Sequence, residues 1–384
     1  MKTTYIKVEN NDIHGSLKKF IGAMLENKFV EAVLIPKILP SGDGFVQSLV
    51  KDAAMLDGIN PFAHTMPVQS AHILSDLSNG SFDGKIAAIL KPCELKATIE
   101  LAKFLQVNPD MFVMIGVDCA GTYEVDTYKQ MVQEKKTIPL DAFLKTAAKG
   151  EIPSASGYAM RDCCGTCIDP VPMNPDMVIG FYGCDPSKEL LVSVGSRFEK
   201  ELAEILSLAL EDSGPKDREA VVKKVKDAKG KARDGMLAEM KKETESMEKL
   251  LDTLSSCIRC RNCMNVCPIC YCKECVFKSA LFDHQADQLL NLAKRNGAVR
   301  LPGDTLIFHL TRMSHMATSC VSCGMCESAC PSGIHVGRLF TSVGSEVRAL
   351  FDYVPGRDIK EAPPVSSFKE DELENSALAT PKTK

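Results

Sequence analysis

The chain has 384 residues, a formal net charge of −4 and 17 cysteines. Its length allows two or three domains with buried cores. The slightly acidic balance gives no electrostatic footprint for nucleic acid, and no apolar run reaches the length that a membrane-spanning helix needs. The first residues lack the apolar segment of a signal peptide and the cysteine count is odd, so we expect the reducing cytoplasm of an anaerobe rather than a secreted disulfide framework.

Apolar runs alternate with helical patterns from residue 13 to about residue 212. The pattern predicts helices near residues 14–27, 45–56, 94–106, 123–135 and 196–211, strands at Ala32–Pro36, Ile86–Leu90 and Phe112–Val117, and two further apolar runs at Met177–Phe181 and Leu190–Val194. Such alternation indicates an α/β cofactor domain over residues 1–212, with a mixed, partly parallel sheet.

A charged segment follows at residues 213–250, rich in Lys and Glu and poor in aromatic residues. Apolar residues recur there at near-helical spacing: Val221, Val225, Ala228, Ala232, Met236, Met240, Met247 and Leu251. This stripe, interrupted by Gly230 and Gly235, predicts a bridging helix whose charges face solvent. A membrane or nucleic-acid surface is the less favoured interpretation of the same charges.

One cysteine pattern occurs twice in the C-terminal half of the chain. It reads Cys257-x-x-Cys260-x-x-Cys263-x-x-x-Cys267-Pro268 and then Cys320-x-x-Cys323-x-x-Cys326-x-x-x-Cys330-Pro331. In this spacing three thiolates hold one 4Fe–4S cluster, and the fourth cysteine ligates the neighbouring cluster. The pattern therefore assigns Cys257, Cys260, Cys263 and Cys330 to one cluster, and Cys320, Cys323, Cys326 and Cys267 to the other. A zinc site is the alternative, but it leaves the third cysteine and the proline of each run unexplained.

The segment between the two cysteine runs is longer than a small bacterial ferredoxin requires. It predicts helices near residues 280–296 and 304–318, so residues 251–356 form an α-helical two-cluster ferredoxin domain. The tail at residues 357–384 is rich in Pro, Ser, Glu and Lys, which predicts disorder or a partner-binding strap.

The α/β domain carries cysteines of its own. Cys93 follows the strand at Ile86–Leu90 and Cys119 follows the next strand, so both lie at carboxyl ends of neighbouring strands, where open α/β sheets place ligands. Cys164 and Cys167 form a Cys-x-x-Cys loop. These four residues could hold a third cluster, whereas spacing alone favours Cys93 and Cys119 as small buried apolar residues.

Several segments together resemble the beta subunit family of formate dehydrogenases and hydrogenases linked to coenzyme F420, a deazaflavin. They are Lys91–Lys103 (KPCELKATIELAK), Met114–Thr122 (MIGVDCAGT), Cys164–Cys167, Cys257–Cys275, Leu306–His315, the second cysteine run and Phe351–Gly356. The resemblance implies a flavin-binding α/β domain with its own 4Fe–4S cluster, held by Cys93, Cys119, Cys164 and Cys167, before the two-cluster ferredoxin. It leaves open whether Cys270, Cys272 and Cys275 serve a cluster or pack as structural thiols.

The chain departs from this family at the expected FAD loops. The family's paired-glycine turn is Ile13–Lys18 here and keeps only Gly15, while Lys18 could still pair with a phosphate. A second family loop corresponds to Met66–His72. The turn Gly180–Gly183 resembles one beside the family's cofactor pocket, with an ordinary strand-end turn as the alternative.

The chain is thus interpreted as an iron–sulfur electron-transfer subunit of a cytoplasmic complex. The resemblance implies a catalytic formate dehydrogenase or hydrogenase subunit as electron donor, with no formate site in this chain. Electrons then leave through FAD to the deazaflavin, or directly to a heterodisulfide-reductase-type partner. Two hypotheses follow: a flavoprotein that reduces the deazaflavin, or an electron relay and scaffold that has lost FAD.

Overall fold

The computed structural model describes residues 1–80, 82–205, 209–283, 285–298 and 304–366. The chain divides into two compact units: Met1–Asp234 with Pro355–Glu361 forms the first, and Gly235–Val354 belongs to the second. Most of the tail predicted to be disordered, residues 367–384, lies outside the described residues. Within the described ranges, no helix combines the length and apolar character needed to cross a membrane.

The first unit contains a mixed sheet with helices. Its strands are β1 (Lys2–Lys7), β2 (Ala32–Ile38), β3 (Phe45–Val50), β4 (Ile86–Leu90), β5 (Phe112–Val117), β6 (Met177–Gly180) and β7 (Glu189–Val194). Its helices are α1 (Ile13–Glu26), α2 (Ser70–Ser78), α3 (Pro92–Lys103), α4 (Val125–Gln133), α5 (Leu140–Ala147), α6 (Asp162–Gly165) and α7 (Glu199–Ile205), and α8 (Arg218–Glu243) begins in this unit.

The seven strands described form one sheet in the order β1-β7-β6-β5-β4-β2-β3. Strands β2, β4, β5 and β6 run parallel to one another, whereas β3 pairs antiparallel with β2, β7 with β6 and β1 with β7. Every residue of β4 and β5 is buried, as expected for central parallel strands covered on both faces. The predicted mixed, partly parallel sheet is confirmed. The carboxyl ends of the four parallel strands meet at one edge of this sheet.

The helix predicted near residues 45–56 is wrong. Residues Phe45–Val50 form strand β3, which pairs with β2 in a hairpin, and a short 3-10 turn follows at Ala53–Met55. Phe45 and Val50 are buried, whereas Val46 and Leu49 are exposed on this edge strand. The apolar spacing here fitted both periods, and cross-strand pairing with β2 decided the outcome. Strand β1, which pairs with the distant β7, was not predicted from the sequence.

The predicted bridging segment forms two helices. Helix α8 runs without a break through Gly230 and Gly235, and α9 (Met247–Leu254) starts anew at Ser246, whose side chain accepts the N–H of Lys249. The division between the two units falls inside α8. The apolar stripe was partly misplaced, because Ala228 is exposed and its neighbour Lys229 is buried.

The second unit is helical. After α9 come α10 (Asn262–Asn265), α11 (Ala286–Asn296), α12 (Thr305–Met316), α13 (Met325–Ser328) and α14 (Val336–Leu350). Helices α11 and α12 correspond to the two helices predicted between the cysteine runs, although residues 280–282 form a 3-10 turn. A core that includes Met313, Leu339 and Phe340 packs directly against cysteines of both runs.

Candidate functional site

The first three cysteines of the earlier run surround a cavity together with the last cysteine of the later run. Cys257, Cys260, Cys263 and Cys330 all line it. Burial and the nearby Cys330 thiol raise the pKa of Cys257, and the same two causes contribute to a pKa of about 11 for Cys263. The fold therefore brings Cys330 next to the first three cysteines of the earlier run, which are distant from it in sequence. We call these four residues the first quartet.

The fourth cysteine of the earlier run lies with the later triplet. Burial raises the pKa of Cys267 to about 12, and the thiols of Cys323 and Cys320 act in the same direction. The pKa of Cys326 lies well above its usual value because of burial and the nearby Cys267 thiol. Cys267, Cys320, Cys323 and Cys326 form the second quartet. Two groups of four thiols, each assembled from both runs, suit the thiolate donor set of iron–sulfur clusters.

The two cysteine loops also share an unusual backbone. Arg259 (φ 54°) and Ser322 (φ 55°) occupy equivalent positions two residues after the first cysteine of each run. Two residues further on, Arg261 (φ 64°) and Gly324 (φ 69°) are again left-handed and cap the one-turn helices α10 and α13. Left-handed backbone costs energy for residues other than glycine, so its recurrence indicates a loop shape required by function.

Two polar side chains of α12 contact the first quartet. Arg312 donates one hydrogen bond to the Cys263 Sγ (3.0 Å) and another to the Cys263 carbonyl (2.9 Å). The Nε2 of His309 lies 3.3 Å from the Cys257 Sγ. Burial, aided by the charge of Arg312, lowers the pKa of His309 to about 4. The sequence analysis did not single out Arg312, because a charged residue in a helix is ordinarily expected to face solvent.

The three further cysteines lie beside the first quartet. Cys270 packs in the small core that contains Cys263, and its charge interacts with those of Cys275 and Cys272. Burial raises the pKa of Cys270, while Arg312 lowers it through its charge and a hydrogen bond. Cys272 is exposed. Whether these thiols bind a cluster stays an open prediction.

A separate group of thiols forms in the first unit. Burial, together with the nearby Cys164 and Cys167 thiols, raises the pKa of Cys119 to about 11. The N–H of Thr122 donates to the Cys164 Sγ (3.4 Å). The buried Lys229 of α8 donates to the Ala120 carbonyl (3.1 Å), and its charge lowers the pKa of Cys119 and Cys167.

Cys93 occupies the same edge of the sheet. It lies in the first turn of α3, directly after β4, and is half-buried. Strand β4 pairs in parallel with β5, which ends just before Cys119. The sheet therefore places these two cysteines after neighbouring strands, as predicted. The assignment of Cys93, Cys119, Cys164 and Cys167 to a cluster remains a proposal.

The residues predicted for the first FAD loop belong to α1. The N–H of Gly15 donates to the Asp12 carboxylate (2.8 Å), which caps the helix. A Cβ at Gly15 would lie 2.2 Å from the Asp12 Oδ2. Lys18 forms an ion pair with Asp57 at 2.5 Å. The glycine thus makes room for a cap of its own helix, and that cap carries a negative charge.

The second predicted FAD loop also contacts its own chain. Ser70 starts α2, and its N–H donates to the Glu94 carboxylate (3.1 Å). The same carboxylate accepts the N–H of Lys91 (2.9 Å) at the end of β4. Buried Glu94 therefore ties the loop at residues 66–72 to the start of α3.

Gly180 and Gly183 accommodate a buried ion pair. A Cβ at Gly180 would lie 2.9 Å from both the Asp118 Oδ2 and the Arg218 Nη1. Gly183 has a φ of +76°, and a Cβ there would lie 2.7 Å from the backbone nitrogen of Arg218. The two glycines therefore allow a close approach by other residues of the same chain.

Fold and thiol groups together indicate the class: an iron–sulfur protein with an α/β domain and a helical cluster domain. Residues 253–334 match the family of 4Fe-4S dicluster domains. This match confirms the prediction of an iron–sulfur cluster domain in the C-terminal part of the chain.

Nearly the whole chain is similar to two curated proteins. It is 25% identical to the F420-dependent formate dehydrogenase subunit beta of Methanocaldococcus jannaschii, over 96% of this chain and 100% of that protein. It is 27% identical to the F420-dependent formate dehydrogenase 1 subunit beta of Methanococcus maripaludis, over 93% of this chain and 94% of that protein. The resemblance inferred from the sequence is confirmed, and so is the oxidoreductase-subunit class.

A solved structure shows a weaker likeness. A chain of the F420-reducing NiFe hydrogenase complex from Methanosarcina barkeri is 11% identical and aligns with a TM-score of 0.47. The alignment covers 65% of this chain and 94% of that chain.

Proposed function

We propose that this chain is the iron–sulfur electron-transfer subunit of a cytoplasmic formate dehydrogenase, or of a hydrogenase as the less favoured choice. Electrons enter from a separate catalytic subunit and pass along 4Fe–4S clusters in this chain. The observation that carries the proposal is the exchange of Cys267 and Cys330 between the two cysteine runs. That exchange is the arrangement by which two cubane clusters are held side by side.

The proposed ligands follow the thiol groups. The first quartet holds one cluster, the second quartet holds another, and Cys93, Cys119, Cys164 and Cys167 hold a third. Support for the third cluster comes from the mutual proximity of Cys119, Cys164 and Cys167 and from the buried cation of Lys229 beside them. A buried ammonium offsets the negative charge that thiolate ligands bring into the protein.

Of the two quartets, the first is better placed to transfer electrons to or from a partner subunit. Among the eight cysteines of the two quartets, Cys260 alone is exposed. Its neighbour Ile258 is 67% exposed, which is unusual for a large apolar side chain. Electrons therefore cross between this chain and the neighbouring subunit of the complex near Cys260.

Electrons leave in one of two ways. In the first, FAD in the α/β domain passes them to the deazaflavin, with Gly15, Lys18, Gly180 and Gly183 at the flavin. In the second, the chain is a relay without FAD that delivers electrons directly to a heterodisulfide-reductase-type partner. The contacts of Gly15, Gly180 and Gly183 with their own chain favour the relay.

The decisive experiment uses the complex purified without oxygen. Formate or hydrogen is added, and reduction of the clusters is followed by electron paramagnetic resonance. Reduction by formate supports the formate dehydrogenase assignment, and reduction by hydrogen alone supports the hydrogenase. Cluster signals that respond to neither donor contradict the proposal.

Flavin content distinguishes the two proposed routes by which electrons leave the chain. Acid-released flavin is measured by fluorescence on the same preparation, and FAD is added to the flavin-free chain during thermal melting. A melting temperature that rises with FAD concentration supports the flavoprotein, because a ligand stabilises only the state that binds it. No flavin and an unmoved melting temperature support the relay.

A further inference from the structure

Arg312 is a buried cation in the cluster domain. It is 2% exposed, and its guanidinium lies 4.8 Å from the ring centroid of Phe340 and 5.7 Å from that of Phe308. Its two hydrogen bonds to Cys263 hold the planar group in one orientation. A charge buried among aromatic rings is costly unless anionic groups are close to it.

Thiols of both quartets are close to this charge. The largest electrostatic effects on Arg312 come from Cys263 of the first quartet, from Cys267 and Cys326 of the second, and from Cys270. The packing agrees: Cys326 of the second quartet lies against the small core that contains Cys263 and Phe308, and both Cys320 and Cys326 lie against the core that contains Phe340. One fixed positive charge thus acts on both quartets.

We propose that Arg312 is a positioning residue that sets the reduction potentials of both clusters in the helical domain. The inference rests on the proposed function, since it requires a cluster in each quartet. Reduction adds one negative charge to a cluster, so a nearby fixed cation favours the reduced form and raises the potential. The hydrogen bond to the Cys263 Sγ adds a second effect on the first cluster alone.

His309 provides the contrast within the same helix. Its Nε2 contacts the Cys257 Sγ of the first quartet. Loss of this side chain should therefore change the first cluster and leave the second unchanged. Lys241 is a further control, because it is an exposed cation of the same unit, paired with the exposed Glu346.

The test compares Arg312→Met, Arg312→Lys, His309→Gln and Lys241→Met in the full chain purified without oxygen. Iron is counted, and the clusters are titrated with reductant under electron paramagnetic resonance. Arg312→Met should lower both midpoint potentials, with a change of roughly tenfold in the reduction equilibrium, which is about 59 mV for one electron. His309→Gln should shift only the first cluster, and Lys241→Met should shift neither.

Arg312→Lys keeps the charge but lacks the paired N–H groups. It should preserve the potential of the second cluster and lower that of the first. If Arg312→Met loses iron, Arg312→Lys decides the question. Midpoint potentials of Arg312→Lys that equal those of the unmodified chain in both clusters would overturn the inference. Shifts of the same size in both clusters would also overturn it. Absence of cluster signals from the unmodified chain would instead contradict the proposed function.

Discussion

The guanidinium of Arg218 donates two hydrogen bonds to the carboxylate of Asp118, each 2.7 Å long. The Asp118 side chain is fully buried and also accepts the N–H groups of Phe181 (2.8 Å) and Tyr182 (3.0 Å). It follows β5, while Phe181 and Tyr182 follow β6 and Arg218 begins α8. One carboxylate thus joins three elements at the edge of the sheet where the third thiol group lies.

Removing one side of this pair should destabilise the first unit strongly. Asp118→Ala leaves a half-buried guanidinium and two buried N–H groups without their acceptor, for which we expect a loss of about 3–5 kcal/mol in unfolding free energy. Chemical unfolding without oxygen, followed by circular dichroism, measures it. Asp227→Ala is the control, because the Lys223–Asp227 pair is exposed and should contribute less than about 1 kcal/mol. Equal losses in the two variants would contradict the structural role.

Gly180→Ala should destabilise the chain whether or not FAD is present. The added methyl group overlaps the Asp118–Arg218 pair, and overpacking of this kind costs about 1–3 kcal/mol. Gly230→Ala in α8 is the matched control, since no atom lies within 4 Å of its Cβ position and alanine favours a helix by about 1 kcal/mol. Melting temperatures of both variants check this. A Gly180→Ala variant that is fully stable but loses flavin would restore the cofactor role of this turn.

The exchange of cysteines between the two runs gives a prediction for each quartet. Cys330→Ser should damage the cluster of Cys257, Cys260 and Cys263, and Cys267→Ser should damage the cluster of the later run. Electron paramagnetic resonance of the reduced variants should therefore lose different signals. If each substitution removes the cluster nearest to it in sequence, the proposed ligand sets are wrong.

The third cluster is tested by iron counting. Three 4Fe–4S clusters give roughly twelve Fe per chain, and Cys167→Ser should reduce this to about eight. Cys184→Ser serves as the control: this thiol also lies in the first unit, burial raises its pKa to about 11, and we expect a structural role for it. About eight Fe in the unmodified chain would return Cys93 and Cys119 to the role of structural thiols.

His64 should make the stability of the first unit depend on pH. Its ring is buried against Phe143 (centroids 4.3 Å apart), and burial, with the charges of Lys91 and His14, lowers its pKa to about 4. An unfolded histidine has a pKa of about 6.5, so the unfolded chain takes up a proton between these values and the folded chain does not. Stability is therefore complete above pH 6.5 and falls as the pH drops towards 4.

The size of this effect is about 1.4 kcal/mol for each pH unit inside that window. His64→Phe removes the titrating group and should remove this part of the pH dependence. Unfolding free energies of both proteins at pH 7.0, 6.0 and 5.5 check the difference. Parallel curves for the two proteins would show that His64 is not the group responsible.

Local sequence determined much of the architecture. The apolar runs that became β2, β4, β5 and β6 are recognisable because parallel strands are buried on both faces and admit few polar residues. The repeated cysteine run is recognisable because thiolate geometry around a cluster constrains spacing along the chain. Both are short-range signals, and they predicted the two-part organisation and the iron–sulfur chemistry.

Long-range contacts decided the rest. Strand β1 completes its edge of the sheet by pairing with the distant β7, and Gly180 is small because Arg218 reaches Asp118 from a distant part of the chain. The role of Arg312 is of the same kind, since a charge on a helical repeat predicts a solvent-exposed face until the fold buries it beside thiols. The energy of a buried charge or a close backbone approach depends on its neighbours in space, and these neighbours are far apart in sequence.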